Sequence, residues 1–177
     1  MDRRSFTKFA ASGAVLGLAG GTALWLGAPR DHAHLGLDRM LDHLSTLAPG
    51  SLRMQGQWDA FRTFNHLAQS IEFSMDGFPE AKSPLFQNTV GSLAFKVFRA
   101  RGAMSHGLDE EIPGEIVAAE AGDTRQALDR LMGALTTFRA YDGDLKPHFA
   151  YGALGKDDYA LAHTMHITNH LEEVQTA

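Results

Sequence analysis

Apolar residues in this chain recur at spacings of three and four in one segment after another, and Pro/Gly stops separate the segments. Leu37, Leu41, Leu44 and Ala48 form a first stripe that Pro49-Gly50 ends. Phe61, Phe64, Ala68, Ile71 and Met75 form a second, in a helix expected over 57–75 and stopped by Asp76-Gly77-Phe78-Pro79. Ser83-Pro84 places an N-cap serine before a first-turn proline. It opens a third helix whose face reads Phe86, Val90, Leu93, Val97 and Phe98, up to about Arg101. Gly91 lies inside it at a cost of about 1 kcal/mol relative to Ala, which close packing would repay. Asp123 or Thr124 caps a fourth helix carrying Ala127 or Leu128, Leu131, Leu135 and Phe138, and a last helix begins near Lys156-Asp157. No run alternates convincingly with period two. The expected fold is all-α, a four-helix bundle with a long crossover carrying an extra helix. Residues 102–122 form the irregular part of that crossover, turned by Ile112-Pro113-Gly114, and loops of such length tend to be functional or mobile. His106, near Asp109, Glu110 and Glu111, reads there as a solvated loop histidine rather than a secondary metal patch.

With 44% hydrophobic residues, a chain of 177 residues can build a core without staples, and the absence of cysteine excludes disulfides, thiolate metal sites and a cysteine nucleophile. The net charge of -5 is uneven. Arg3, Arg4, Lys8 and Arg30 against Asp2 give a local +3, so the rest carries -8. An acidic body lacks the electrostatic footprint of nucleic-acid binding, and that class is set aside. The basic head and the Gly/Ala-rich apolar run to Ala28 read as a signal segment, residues 1–30, preceding a helical domain over 34–177. Arg3-Arg4 with Phe6 and Lys8 resembles a twin-arginine export signal, although Asp2 and Thr7 depart from the usual pattern. The resemblance implies the twin-arginine export machinery as a partner and a periplasmic domain, or one anchored to the membrane by an uncleaved segment. Cleavage falls near Ala28, where Pro29 disfavours it, or near Ala33.

The chemistry concentrates in the last helix. His163, His166 and His170 are spaced by three and then four, which with Tyr159 places them within a wedge of about 60° beside the apolar Ile167, Leu171 and Val174. Two imidazoles one turn apart can bind one divalent ion, but a third ligand must come from elsewhere. His66, in the second helix, falls off that helix's apolar stripe, on the side of Arg62 and Gln69. Trp58 and Phe73 suggest that this second face is also partly covered. His32, His34 and His43 have no partner of suitable spacing and read as solvated. There is no H-E-x-x-H, no G-x-S-x-G and no glycine-rich phosphate loop.

The phrases at 58–77 (WDAFRTFNHLAQSIEFSMDG), 86–95 (FQNTVGSLAF), Ile112-Pro113-Gly114 and 146–171 (KPHFAYGALGKDDYALAHTMHITNHL) resemble an uncharacterised family within the DinB-like metal-binding helical bundles. The resemblance covers roughly residues 35–174. It implies a bundle with a three-histidine site, the ligands matching His66, His166 and His170, with His163 a lining position that could substitute. Similar proteins bind zinc, nickel or iron, and zinc is favoured here. Related enzymes include thiol-dependent transferases and isomerases, whereas an exported protein better suits a metal-dependent hydrolase. Tyr159, His163 and His148 are the candidates for proton transfer or substrate orientation. A non-catalytic metal or small-ligand binder, or an envelope interaction module, is the alternative. The expected partners are an unknown small molecule and a second copy of the chain as a homodimer. Because imidazole ligates only when neutral, metal is expected to be lost in acid.

Overall fold

A computed structural model of the protein describes residues 35–116 and 122–176. The signal-like segment, with His32 and His34, lies outside them. Five helices account for most of the described chain: α1, Leu37–Ser45; α2, Ala60–Asp76; α3, residues 84–101; α4, Thr124–Ala140; and α5, Lys156–Leu171. Among the described residues no helix is long and apolar enough to cross a membrane.

The caps follow from local chemistry. Asp59 accepts the Arg62 N–H at 2.8 Å and starts α2, and Gly77, at φ 116°, ends it. Asp123 accepts the Arg125 N–H at 2.8 Å and starts α4. α5 starts at Gly155 without a side-chain cap, its first turn instead carrying Asp157 and Asp158 at the positive end of the helix dipole. Lys156 reaches back to the Phe138 and Tyr141 carbonyls, tying the start of α5 to the end of α4.

α1, α2, α4 and α5 share one core. Leu44, Phe64, Leu67, Ile71, Leu128, Leu131, Leu135 and Phe138 are all buried in it, most fully between α2 and α4. These are largely the residues of the first, second and fourth stripes, so the four-helix bundle and its crossover with an extra helix are present. Two three-residue strands add what periodicity could not reveal. β1, Leu52–Met54, pairs antiparallel with β2, Val174–Thr176, Arg53 opposite Gln175, clasping the end of the chain to the loop before α2.

α3 corrects the expected third face. Val90 and Leu93 are exposed, at 58% and 55%, and Phe95 is buried instead. A π-helical turn over Gln87–Gly91 inserts one residue, so the three-and-four spacing read across it is out of phase by about 100°. α3 therefore stands outside the bundle, where Phe95 joins Leu35, Met104, Ala162 and Met165 in a second cluster. Gly91 meets the peptide after His148-Phe149 so closely that an added Cβ would lie 1.8 Å from the Ala150 carbonyl oxygen.

Gly91→Ala is therefore expected to destabilise the fold by ~1–3 kcal/mol through overpacking. Leu93→Ala, on the exposed side of the same helix, is expected to change stability by less than about 0.5 kcal/mol. Urea denaturation of the two variants beside the parent chain checks both.

Candidate metal centre

The polar side of α2 is not open to water. Thr63, Asn65, His66, Gln69 and Ser70 are all buried; Asn65 is bonded to Arg130 of α4, while His66 and Gln69 are bonded to the crossover after α3. Ile112-Pro113-Gly114-Glu115 is a tight turn, closed by the Glu115 N–H donating to the Ile112 carbonyl at 2.8 Å. Proline occupies its second position and Gly114, at φ 75°, its third, as a type II turn requires. The turn folds the Glu115 side chain back, so that its Oε2 accepts the Ile112 N–H at 2.8 Å and the His66 Nδ1–H at 2.8 Å. Beside it, the Gln69 amide donates to the Ile116 carbonyl at 2.8 Å and accepts the Ile116 N–H at 3.2 Å. Arg62–Glu111 at 2.7 Å and Gln57–Asp109 at 2.9 Å complete the fastening.

His66, His166 and His170 converge from α2 and α5. Each can offer one ring nitrogen such that these atoms lie within 4.8 Å of one another. Since His66 donates Nδ1–H to Glu115, its Nε2 carries the lone pair, and that atom faces His166 Nε2 at 3.3 Å. Two nitrogens bound to one tetrahedral ion at 2.0–2.1 Å lie about 3.3–3.4 Å apart, so this pair already stands at ligand spacing. His170 is fully buried, and neither of its ring nitrogens has a hydrogen-bond partner among the described residues. A buried polar atom without a partner is costly, and a metal ion is the partner that an imidazole lone pair there accepts. Trp58 stacks on His170 at 6.2 Å and meets His66 edge-on at 5.0 Å. The donor set fits a first-row divalent ion, with the carboxylate–histidine arrangement that orients such ligands.

His106 is not the solvated loop residue expected from its surroundings in the sequence. Its ring lies 4.8 Å from that of His166 and 5.2 Å from that of His170. The residue is held by its backbone N–H, which donates to Asn169 Oδ1 at 3.3 Å, and by its Nδ1–H, which donates to the Gly107 carbonyl at 2.8 Å. Its Nε2 is buried without a partner among the described residues. His43, by contrast, is exposed as expected.

The remaining candidates divide. His163 and His148 line a cavity of about 390 Å³ that His66, His106 and His166 also line. Ser74 spends its hydroxyl proton on the Ile71 carbonyl at 2.6 Å, so at 3.2 Å it accepts from His163 Nε2 and leaves His163 Nδ1 as the lone pair. His148 is the opposite tautomer, because its Nδ1 accepts the Ala150 and Tyr151 N–H groups at 3.1 and 3.2 Å and Nε2 keeps the proton. Tyr159 does not reach the cavity. It is fully buried, donates its hydroxyl to the Lys146 carbonyl at 2.6 Å, and stacks beneath His163 at 5.4 Å.

Burial holds the histidines neutral. It lowers His163 to about 3, and His148 to about 3 with help from the nearby His163. Burial, then the charges that His66 and His106 would carry, lowers His170 to about 2, while His166 is held well below its ordinary value and His106 is also lowered. Of the three ligands, His166 and His170 are thereby held neutral at mildly acidic pH, so acid is expected to reach the centre partly through the stability of the fold.

Histidines of the unfolded chain titrate near 6.5, so below that pH unfolding takes up protons that the folded state refuses. Stability is fully present above about pH 6.5 and falls as pH drops toward 3, by about 1.4 kcal/mol per pH unit for each such histidine. Urea midpoints measured from pH 8 to pH 4 are expected to show this, with the slope smaller by one histidine in His163→Phe. Metal is expected to be released on acidification, followed alongside the helical circular-dichroism signal; affinity unchanged between pH 7 and pH 5 would contradict it.

No curated protein and no solved structure matches the chain. Residues 28–177 match the family described as a protein of unknown function, DUF1569, a span that includes every histidine and the carboxylate of the centre. The chain belongs to the DUF1569 family.

Proposed function

We propose that this domain binds a divalent transition-metal ion through His66, His166 and His170 and uses it on a small molecule held in the adjoining cavity. The observation that carries the reading is the convergence of three imidazoles on one point, with no internal partner for His170 and with Glu115 fixing the His66 tautomer. One ligand from the second bundle helix and two from the last at H-x-x-x-H is the arrangement that the DinB-like resemblance implies, which supports placing the family in that superfamily. Imidazole suits zinc, nickel and iron alike, so geometry decides, and the tetrahedral spacing of the His66 and His166 nitrogens favours zinc.

A bound divalent cation would act there as a Lewis acid toward an oxygen or sulfur donor entering the cavity. The chain's own groups then set the substrate's pose. His148 presents a neutral N–H donor and His163 a neutral lone pair, both held by hydrogen bonds on the far side of the ring. Ile112, Met104 and Tyr151 make much of the remaining wall apolar and suited to a small molecule. Hydrolysis is the reaction class proposed, in an exported domain, because low-molecular-weight thiols that a transferase would use are chiefly cytoplasmic. The twin-arginine-like segment is the support for export. A non-catalytic metal or ligand carrier is the second reading, and the fourth imidazole at His106 favours it, since a closed coordination sphere leaves no position for substrate.

Full-length protein purified without an affinity tag is expected to carry one equivalent of metal by elemental analysis, and the His66→Ala/His166→Ala/His170→Ala variant none. Equal, negligible metal in both would remove the centre. Glu115→Ala is expected to weaken zinc binding by about 10–100-fold while leaving the ligand set intact, measured by competition with a chromophoric chelator. Zinc-dependent hydrolysis of 4-nitrophenyl esters, lost in the triple variant, would favour the enzyme; stoichiometric zinc with no turnover across ester and amide panels would favour the carrier.

A further inference from the structure

We propose that His106 is a fourth, loop-borne ligand of the same ion, closing the centre at rest and giving way when a donor molecule enters the cavity. The inference rests on the three-histidine reading and extends it to a residue of the crossover.

Four imidazoles around one tetrahedral ion have ring centres about 5.2 Å apart, given metal–nitrogen bonds of 2.0–2.1 Å. Five of the six pairs formed by His66, His106, His166 and His170 stand at 5.1, 5.2, 4.9, 4.8 and 5.2 Å. The remaining pair, His66 with His106, makes no ring contact among the described residues, and the ring nitrogens that lie within 4.8 Å of one another are those of His66, His166 and His170. His106 is also in the correct tautomer. With Nδ1–H committed to the Gly107 carbonyl, the bare Nε2 is the buried atom that lacks a partner. A histidine retained only for packing has no need of a bare, buried lone pair beside two other imidazoles.

The four ligands differ in how they are held. His66, His166 and His170 project from α2 and α5, while His106 stands on irregular backbone between α3 and the Ile112 turn. Its nearest restraint outside that segment is the 3.3 Å hydrogen bond from its N–H to Asn169 Oδ1, one residue before His170. It also lines the cavity. Displacement of one ligand by an incoming molecule therefore falls on His106, the ligand whose departure moves no helix. This reconciles a site rich enough in imidazole to look closed with a cavity that opens onto it.

X-ray absorption of the cobalt-loaded and zinc-loaded full chain counts imidazoles directly. Four are expected in the parent protein and three in His106→Ala, with zinc affinity lower by at least tenfold and the helical circular-dichroism signal unchanged. Three in both proteins would overturn the assignment. Added free imidazole is expected to restore the four-imidazole signature in His106→Ala, which an unfolded variant could not do. Azide, used as a small donor probe, is expected to bind the cobalt-loaded parent with loss of one imidazole, and to bind His106→Ala more tightly with no loss. Azide binding that leaves all four imidazoles in place, or no binding, would overturn the exchange. Metal absent from the parent chain would overturn the three-histidine reading and His106 with it; metal present with three imidazoles removes His106 alone.

Discussion

One carboxylate oxygen governs the architecture of the centre. Glu115 Oε2 accepts both the backbone N–H of Ile112, which holds the turn closed, and the His66 Nδ1–H, which decides the nitrogen that His66 turns toward α5. Both bonds are 2.8 Å long and both groups are buried, so losing the acceptor would leave two donors without water or partner. The loop and the site are therefore one structure. The crossover covers the polar side of α2 because that side carries hydrogen-bonding groups for it, and it brings His106 to the centre in doing so.

Desolvation does the rest. Imidazoles near water would share a proton and repel each other, whereas burial keeps His166 and His170 neutral beside the stacked Trp58. The fold carries this at a cost in acid, where unfolding lets every such histidine take up a proton. The well-packed core between α2 and α4 leaves a polar seam elsewhere. The cavity lies there, and His148 and His163, each with its tautomer fixed by hydrogen bonds, line it.

The helices, the caps at Ser83 and Asp123 and three of the four core stripes were legible in the sequence, because a helix buried on one side writes its period into the chain; the Asp59 cap of α2 and the Gly155 start of α5 were not. So was the convergence of His166 and His170, since one turn of α5 places them together whatever surrounds it. α3 was not legible. Its π turn over Gln87–Gly91 breaks the phase that the reading of Phe86, Val90 and Leu93 assumed, and nothing local in those residues announces it. The short β1–β2 pair was also silent, three residues being too few to show alternation.

The sequence by itself determined that this chain makes a helical bundle and that its last helix presents imidazoles on one side. It also determined the Ile112-Pro113-Gly114 turn, whose proline and glycine admit few other conformations. Only the tertiary structure decided that His66 belongs with them, because its own helix places it off the apolar stripe and the cover comes from forty-nine residues further along the chain. His106 and Glu115 were decided the same way. Their roles depend on which face a long irregular segment lies against, and that is fixed by the summed hydrogen bonds of Arg62, Gln57 and Gln69 rather than by any period along the chain.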